Sequence, residues 1–271
     1  MPSFTGKKFS TIYKNILAIA NSSFTGMSSS SRRVTDAEGN PSCIMLSDDL
    51  CHIFPNNDDT TFTFSVGNKA LSEIFAVDTT NTKVKIGLSG TAANTQYAHF
   101  GVDNGMTSTW ADDTHYAVPF QTNFSLGTSD VSMGSATSSS FNDTNPATTL
   151  TISSTAHSVV QQYWYVMDNI TIDAVKWFHA ADTATGEDVA AHLMSYTIDT
   201  ANGSTSGDLS DGTVLADGAN ITNAGYEQVY YQSMTIQSAD VAAGKVIIFT
   251  FAQDAENSDY SVNATVKYHI R

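Results

Sequence analysis

From Ser261 to Ile270 the sequence alternates without a break. Val262, Ala264, Val266, Tyr268 and Ile270 fall on one side, and Ser261, Asn263, Thr265, Lys267 and His269 on the other. A period of two marks a strand buried on one face only. Six further apolar runs precede it, at 149–153, 158–167, 170–179, 191–198, 228–237 and 245–251. Polar turn clusters such as 182–188 and 202–212 separate them. Short strands punctuated in this way predict an antiparallel β-sandwich, jelly-roll-like, over residues 148–271. Only 14% of residues are charged, and the polar character comes from Ser, Thr, Asn and Gly, a mixture poor in helix formers. The fold class expected is all-β.

Upstream, strands are expected at 42–46, 50–54 and 60–66, between turns at Asp48-Asp49 and 55–59. A hairpin of 73–77 and 83–88 follows, with Ile74, Ala76, Val84, Ile86 and Leu88 alternating with polar positions. A lone hairpin of this size is marginal in water, and three chains wrapped together would cover each other's apolar faces. Between 91 and 147, Trp110, Tyr116, Phe120 and Phe124 indicate strands, and 127–145 is a Ser/Thr-rich linker or set of loops. The division expected is a 1–40 anchor, a 41–90 intertwined β region, a 91–147 β and loop region, and a 148–271 head.

Charge separates the anchor from the rest. Residues 1–35 contain Lys7, Lys8, Lys14, Arg32 and Arg33 and no acid; the first acid is Asp36. Of 12 basic residues this leaves 7 against 27 acids in 36–271, a net of −20 within a chain of −15. An acidic body excludes general nucleic-acid binding. Phe9, Ile12, Tyr13, Ile16, Leu17 and Ala20 fall at helical spacing, so a short amphipathic helix is expected over 7–20. It is too short to be stable alone and needs a surface to pack on. The basic, Ser-rich, acid-free start also has the composition of a mitochondrial transit peptide. Residues 21–42, Ser-rich with Gly26, Gly39 and Pro41, read as an extended connector. No run approaches the ~20 apolar residues of a membrane helix, so no membrane insertion is expected.

Motifs for chemistry are missing. There is no P-loop, dinucleotide fingerprint, HExxH or GxSxG, and the seven histidines stand singly. No enzyme activity, cofactor or metal is expected. The turn at 208–212 lacks the spacing of a calcium loop. Cys43 and Cys51 read as thiols on neighbouring strands, with a disulfide as the alternative. Aromatics cluster at Tyr163-Trp164-Tyr165, Trp177-Phe178 and Tyr230-Tyr231. Adjacent strand residues point to opposite faces, so half of them fill the core and half face out. Tyr163, Tyr165, Trp177 and Tyr230 are the candidates for a receptor or subunit contact.

The run Phe9-Ser10-Thr11-Ile12-Tyr13-Lys14-Asn15-Ile16-Leu17, the connector with Arg32-Arg33, and Leu46-Ser47-Asp48-Asp49 carry a resemblance. Together they resemble the start of virion structural proteins of marine bacteriophages, especially those infecting cyanobacteria. The 74–87 hairpin is similar to segments of phage tail fibres and spikes. Residues 238–249 with the terminal strand resemble the last sheet of their C-terminal β-sandwich domains. The resemblance implies a non-enzymatic homotrimer located in the virion, on the tail or capsid surface. A tail fibre or spike would dock to other virion proteins through Lys7, Lys8, Phe9, Ile12, Tyr13, Lys14, Ile16, Leu17, Arg32 and Arg33. Its head would meet a host surface glycan or protein. The alternatives are a capsid decoration (head fibre or cement) protein and the carbohydrate-binding module of a non-viral protein.

Overall fold

The structure is a computed structural model. It describes residues 18–19, 27, 29–36, 38–70, 73–86, 91–103, 110–121, 131–135, 145–153, 155–181, 185–225, 227–254 and 260–271. Among these it is almost all β, with one four-residue helix at Ala156–Val159. The chain divides into two compact units, 1–94 and 95–271.

The first unit holds two antiparallel meanders. One joins β1 (Ala18–Ile19), β2 (Arg32–Thr35), β3 (Pro41–Leu46) and β4 (Cys51–Ile53) in sequence order. Ala18 and Ile19 pair with Thr35 and Val34, so these two residues are strand and not the end of a 7–20 helix. Backbone pairing to β2 takes the groups a helix would use; residues 7–17 of that expectation lie outside the described residues. The expected connector is likewise partly strand. Asp36 builds its turn: one carboxylate oxygen accepts the backbone N–H of Glu38 and of Asn40, and the other accepts the Asn40 amide. Gly39 supplies the left-handed position at φ 90°. Cys43 and Cys51 lie on neighbouring strands, but Cys51 faces Leu46 while Cys43 bonds to Phe54, and both thiols are free and exposed.

The second meander joins β5 (Phe64–Gly67), β6 (Glu73–Asp78), β7 (Lys83–Ile86) and β8 (Thr91–Ala92). Phe64 pairs with Val77 and Val77 with Val84; Val66 pairs with Phe75 and Phe75 with Ile86. One face therefore carries Phe64, Val66, Phe75, Val77, Val84 and Ile86, every one apolar. Val84 and Ile86 thus share a face with Phe75 and Val77, and Ile74 and Ala76 point the other way. Phe64, Val66 and Ile86 are 39, 50 and 53% exposed. The opposite face closes on an ion pair: Lys85 Nζ lies 2.6 Å from the buried Asp78 carboxylate. Burial alone would raise the Asp78 carboxyl, but the bonds from Lys85 and Asn81 outweigh it and hold it below its ordinary range.

The second unit is built on eight strands: β9 (Thr95–Val102), β10 (Thr114–Val118), β13 (Ile170–Ala181), β14 (Asp188–Ile198), β15 (Leu209–Asp217), β17 (Gln228–Ser233), β20 (Lys245–Gln253) and β21 (Tyr260–Ile270). Short pieces flank them: β11 (Ser132–Ser135), β12 (Trp164–Tyr165), β16 (Ile221–Thr222), β18 (Thr235–Ile236) and β19 (Asp240–Val241). One sheet has the order β10-β20-β14-β15 and the other β17-β13-β21-β9, all antiparallel. Along the chain these eight strands alternate between the two sheets at every step except the β14–β15 hairpin. That is the order of a jelly roll, as the sequence predicts. Strands β9 and β10, expected in a region of their own, belong to it. Strand β15 lies partly in the expected 202–212 turn cluster; its sequence does not alternate, and its pairing to β14 is irregular at two places. The segment expected as a strand from Ser158 begins as helix and becomes strand only at Trp164.

Between the sheets lies one apolar core. Trp177, Val175 and Ile172 of β13 and Ala264 and Val266 of β21 meet Leu193 of β14 and Ile247, Phe249 and Phe251 of β20. The Trp177 ring centroid is 6.3 Å from that of Phe249 and 6.0 Å from that of Phe251. The far side of the β20 sheet is covered too: Val246, Ile248, Met194 and Tyr196 pack with Val131, Met133 and Val159. That two-sided cover is why β20 reads as a nearly continuous apolar run and β14 is buried along most of its length, while β21 alternates.

Buried imidazoles sit on both sheets. His179 bonds Asn223 Oδ1 at 2.8 Å, Asn223 donates to the Tyr260 hydroxyl, and Tyr260 donates to Glu187. His192 lies against His115, with ring centroids 5.1 Å apart. Burial pushes both His179 and His192 down to about 4. Unfolded they titrate near 6.5, so the unfolded chain takes up protons first as pH falls. Stability from these groups is complete above 6.5 and is lost progressively down to about 4, by up to about 3 kcal/mol each. Asp217 and Asp254, whose carboxyls burial raises, act in the opposite sense. We expect the thermal midpoint to fall between pH 7 and pH 4.5, and His192→Gln to flatten part of that slope. A midpoint independent of pH in both proteins would contradict the assignment.

Candidate functional site

Strand β13 begins with Ile170 and Ile172 pointing inward. Unbroken alternation would then send Lys176 and Phe178 into the core and Trp177 into solvent. The structure resolves this with a bulge. Ile172 pairs with Tyr268 and Ala174 with Lys267, leaving Asp173 as an extra residue. Its carboxylate bonds the buried His269 at Nδ1, 3.0 Å away. One inserted residue exchanges the faces of everything after it. Val175 and Trp177 turn inward, and Lys176 and Phe178 turn out.

The outer face that results spans β17, β13, β21 and β9 in register. Val229, Ala180 and Ser261 form one row; Tyr231, Phe178, Asn263 and Gly101 the next. Ser233, Lys176, Thr265 and His99 form the third, and Ala174, Lys267 and Tyr97 the fourth. Val229, Tyr97, Tyr231 and Phe178 are 71, 58, 51 and 45% exposed. The Phe178 and Tyr231 rings are 5.0 Å apart, and Lys176 Nζ lies 5.7 Å from the centre of the Tyr231 ring. The Tyr231 hydroxyl is held below its ordinary range by its hydrogen bond with Ser233 and by Lys176. His99 Nδ1 and Thr265 Oγ1 are 3.1 Å apart.

The sequence candidates distribute differently. Trp177 is wholly buried, its indole N–H donating to Gln232 Oε1 at 3.2 Å, so it is a core residue and cannot face a receptor from this unit. Tyr230 turns inward and stacks on His179, with centroids 4.8 Å apart. Tyr163 packs on the second apolar cluster and donates to the Gly207 carbonyl. Tyr165 is exposed, but on the other sheet, where β12 pairs with β20. In each aromatic pair, Trp177-Phe178 and Tyr230-Tyr231, the exposed member is the second. For β13 the signal was Lys176: an apolar parity that would bury an unpaired lysine demands a bulge before it.

Of the docking candidates, Lys7, Lys8, Phe9, Ile12, Tyr13, Lys14, Ile16 and Leu17 lie outside the described residues. Arg32 and Arg33 are in β2. Arg33 donates to the Ser42 carbonyl at 2.8 Å and stacks over Phe54 at 4.3 Å, so it clamps its own meander.

No protein-family model and no curated protein matches the chain. Among solved structures it is similar to a chain of infectious bursal disease virus, Gx strain, at 10% identity and a TM-score of 0.23. The match covers 65% of this chain and 32% of that one, so the chain spans about a third of that neighbour's length. Likeness at that level says nothing of function.

Among the described residues no group of three or more His, Cys, Asp or Glu is placed to hold a metal. The outer face is an array of aromatic rings, hydroxyls, one amide, one imidazole and two lysines.

The bulge makes the face, so deleting Asp173 should unmake it. We expect the deletion to red-shift tryptophan emission as Trp177 loses its core position, and to abolish cooperative unfolding. Asp173→Ala keeps the residue count and loses only the bond to His269; it should destabilise by about 1–3 kcal/mol with emission unchanged. Unchanged emission in the deletion variant would show that Asp173 does not set the parity.

Proposed function

We propose that the chain is a virion structural protein without enzymatic activity. In this reading it is a homotrimeric tail fibre or spike that docks through its N-terminal segment and displays its jelly-roll head to the host surface. The observation that carries the proposal is the apolar face of the second meander. Among the described residues the six apolar side chains on one face of this four-stranded sheet belong to no buried core cluster, and Phe64, Val66 and Ile86 are 39–53% exposed. A face of that kind marks a partner surface.

Charge favours further copies of the same chain as that partner. Residues 1–94 carry eight basic and eight acidic side chains, whereas 95–271 carry four basic and 19 acidic. The whole net charge of −15 therefore belongs to the head unit. Neutral segments associate without electrostatic penalty, while the heads repel and stay apart. Three chains joined at 1–94 with their heads displayed is the arrangement this supports. Jelly rolls serve in viral capsid and lectin domains, which is analogy at the level of fold.

Light scattering of the full chain should give a trimer. Val66→Lys with Ile86→Lys, at the centre of the apolar face, should release monomers whose heads still melt cooperatively. A wild-type monomer at micromolar concentration would refute the trimer. For docking, a chain lacking residues 1–35 should remain trimeric yet fail to join its particle, and normal incorporation would remove the anchor from the account. Electron cryo-microscopy of the particle assigns the place: density on the tail supports a fibre or spike, and density on the shell makes it a decoration protein.

A further inference from the structure

We infer that the outer face of the β17-β13-β21-β9 sheet binds an anionic polysaccharide. The inference deepens the display role above by naming what the head would meet, and it rests on that reading for its biological setting.

Charge carries it first. The head unit has four basic side chains, Lys176, Lys245, Lys267 and Arg271, among 19 acids. Lys245 donates to Thr197, and Arg271 pairs with Asp240. The other two, Lys176 and Lys267, both stand on this one face, in adjacent rows. The four rows contain no carboxylate. Among the described residues acids stand beyond the rows at both ends: Asp173, bonded to His269, and Asp240, paired with Arg271, past Ala174, and Asp103 and Glu227 just outside β9 and β17 at the other end. On a body of −15, this is the surface an anion can approach; a neutral chain would have no such preference.

The chemistry of the face then selects the kind of anion. Phe178, Tyr231 and Tyr97 are each about half exposed, aromatic surface of the kind that packs against the C–H side of a sugar. The central strand β21 interleaves them with Ser261, Asn263, Thr265 and Lys267, hydrogen-bonding groups of the kind hydroxyls and carboxylates need. A protein partner would call for a continuous apolar centre, and here the apolar side chains occupy one corner. The register also fits an extended ligand. Four strands about 4.8 Å apart and rows about 6.8 Å apart make a flat field roughly 14 by 20 Å.

The test titrates the full-length protein with oligogalacturonate, with dextran sulfate and with a neutral malto-oligosaccharide of equal length. We expect the anionic chains to bind and the neutral one not to, with binding weakened at about 0.5 M salt. Tyr231→Thr should weaken it about tenfold, the order expected for losing one aromatic stacking contact. Lys176→Gln and Lys267→Gln should each weaken it several-fold. Tyr165→Thr, an exposed tyrosine on the other sheet, should change nothing. All four positions are on the surface, and unchanged melting confirms that the variants fold. Failure to bind either anionic chain, equal binding of the neutral chain, or indifference to Tyr231→Thr would overturn the inference. So would a change in oligomeric mass on Tyr231→Thr without saccharide uptake, which would make the face a protein contact. None of these results depends on whether residues 1–94 trimerise.

Discussion

Strand β20 is the member on which the head unit depends. Val246 and Ile248 fill the cluster on one side of their sheet, and Ile247, Phe249 and Phe251 fill the inter-sheet core on the other. The five side chains are wholly buried and together remove roughly 7–15 kcal/mol worth of apolar surface from water. That gross contribution matches the net stability of a whole domain. The strand also pairs with β10, β12 and β14. Because both its faces are occupied, its register cannot slip by one residue without exchanging two full sets of core contacts. The opposite sheet is free to vary on its outer side because β20 fixes its inner one.

This freedom separates structure from display. In β13 and β21 the inward residues answer to Phe249 and Phe251, and outward residues such as Phe178, Lys176 and Thr265 touch neighbours on their own face, Tyr231 and His99. Side chains such as Lys176, Phe178, Asn263 and Lys267 are therefore available for contact at small cost to the fold. The first unit inverts the relation. Among its described residues Phe64, Val66 and Ile86 stand exposed on one sheet face, so burial supports that meander less than it supports the head. Charge follows the same division: residues 1–94 are neutral, and residues 95–271 carry the whole −15.

The sequence made much of this legible, and unevenly. The terminal alternation gave β21 to within a residue, and the continuous run at 245–251 located β20. The jelly-roll class followed from strand number and turn spacing. Strand β15 was hidden because bulges in its pairing break its period, and β1 and β2 because a Ser-rich composition masks strands only a few residues long. Helical spacing from Phe9 to Ala20 competed with pairing at Ala18 and Ile19, and long-range backbone bonds took those two residues.

The aromatic face shows what kind of information a one-dimensional reading lacks. Alternation correctly states that Trp177 and Phe178 diverge, but not which one is buried. That depends on a count of residues, and the count changes at Asp173. The evidence was present in a conflict: the parity set by Ile170 and Ile172 places Lys176 in the core, where an unpaired ammonium is far more costly than a local break in the ladder. A bulge shifts the burden to one residue, whose carboxylate then finds the buried His269. The same shift that rescues the lysine brings it beside Tyr231 and Phe178. The surface that carries Tyr231 and Phe178 and the one that carries Lys176 are thus the same surface, and they are so because of one inserted acid.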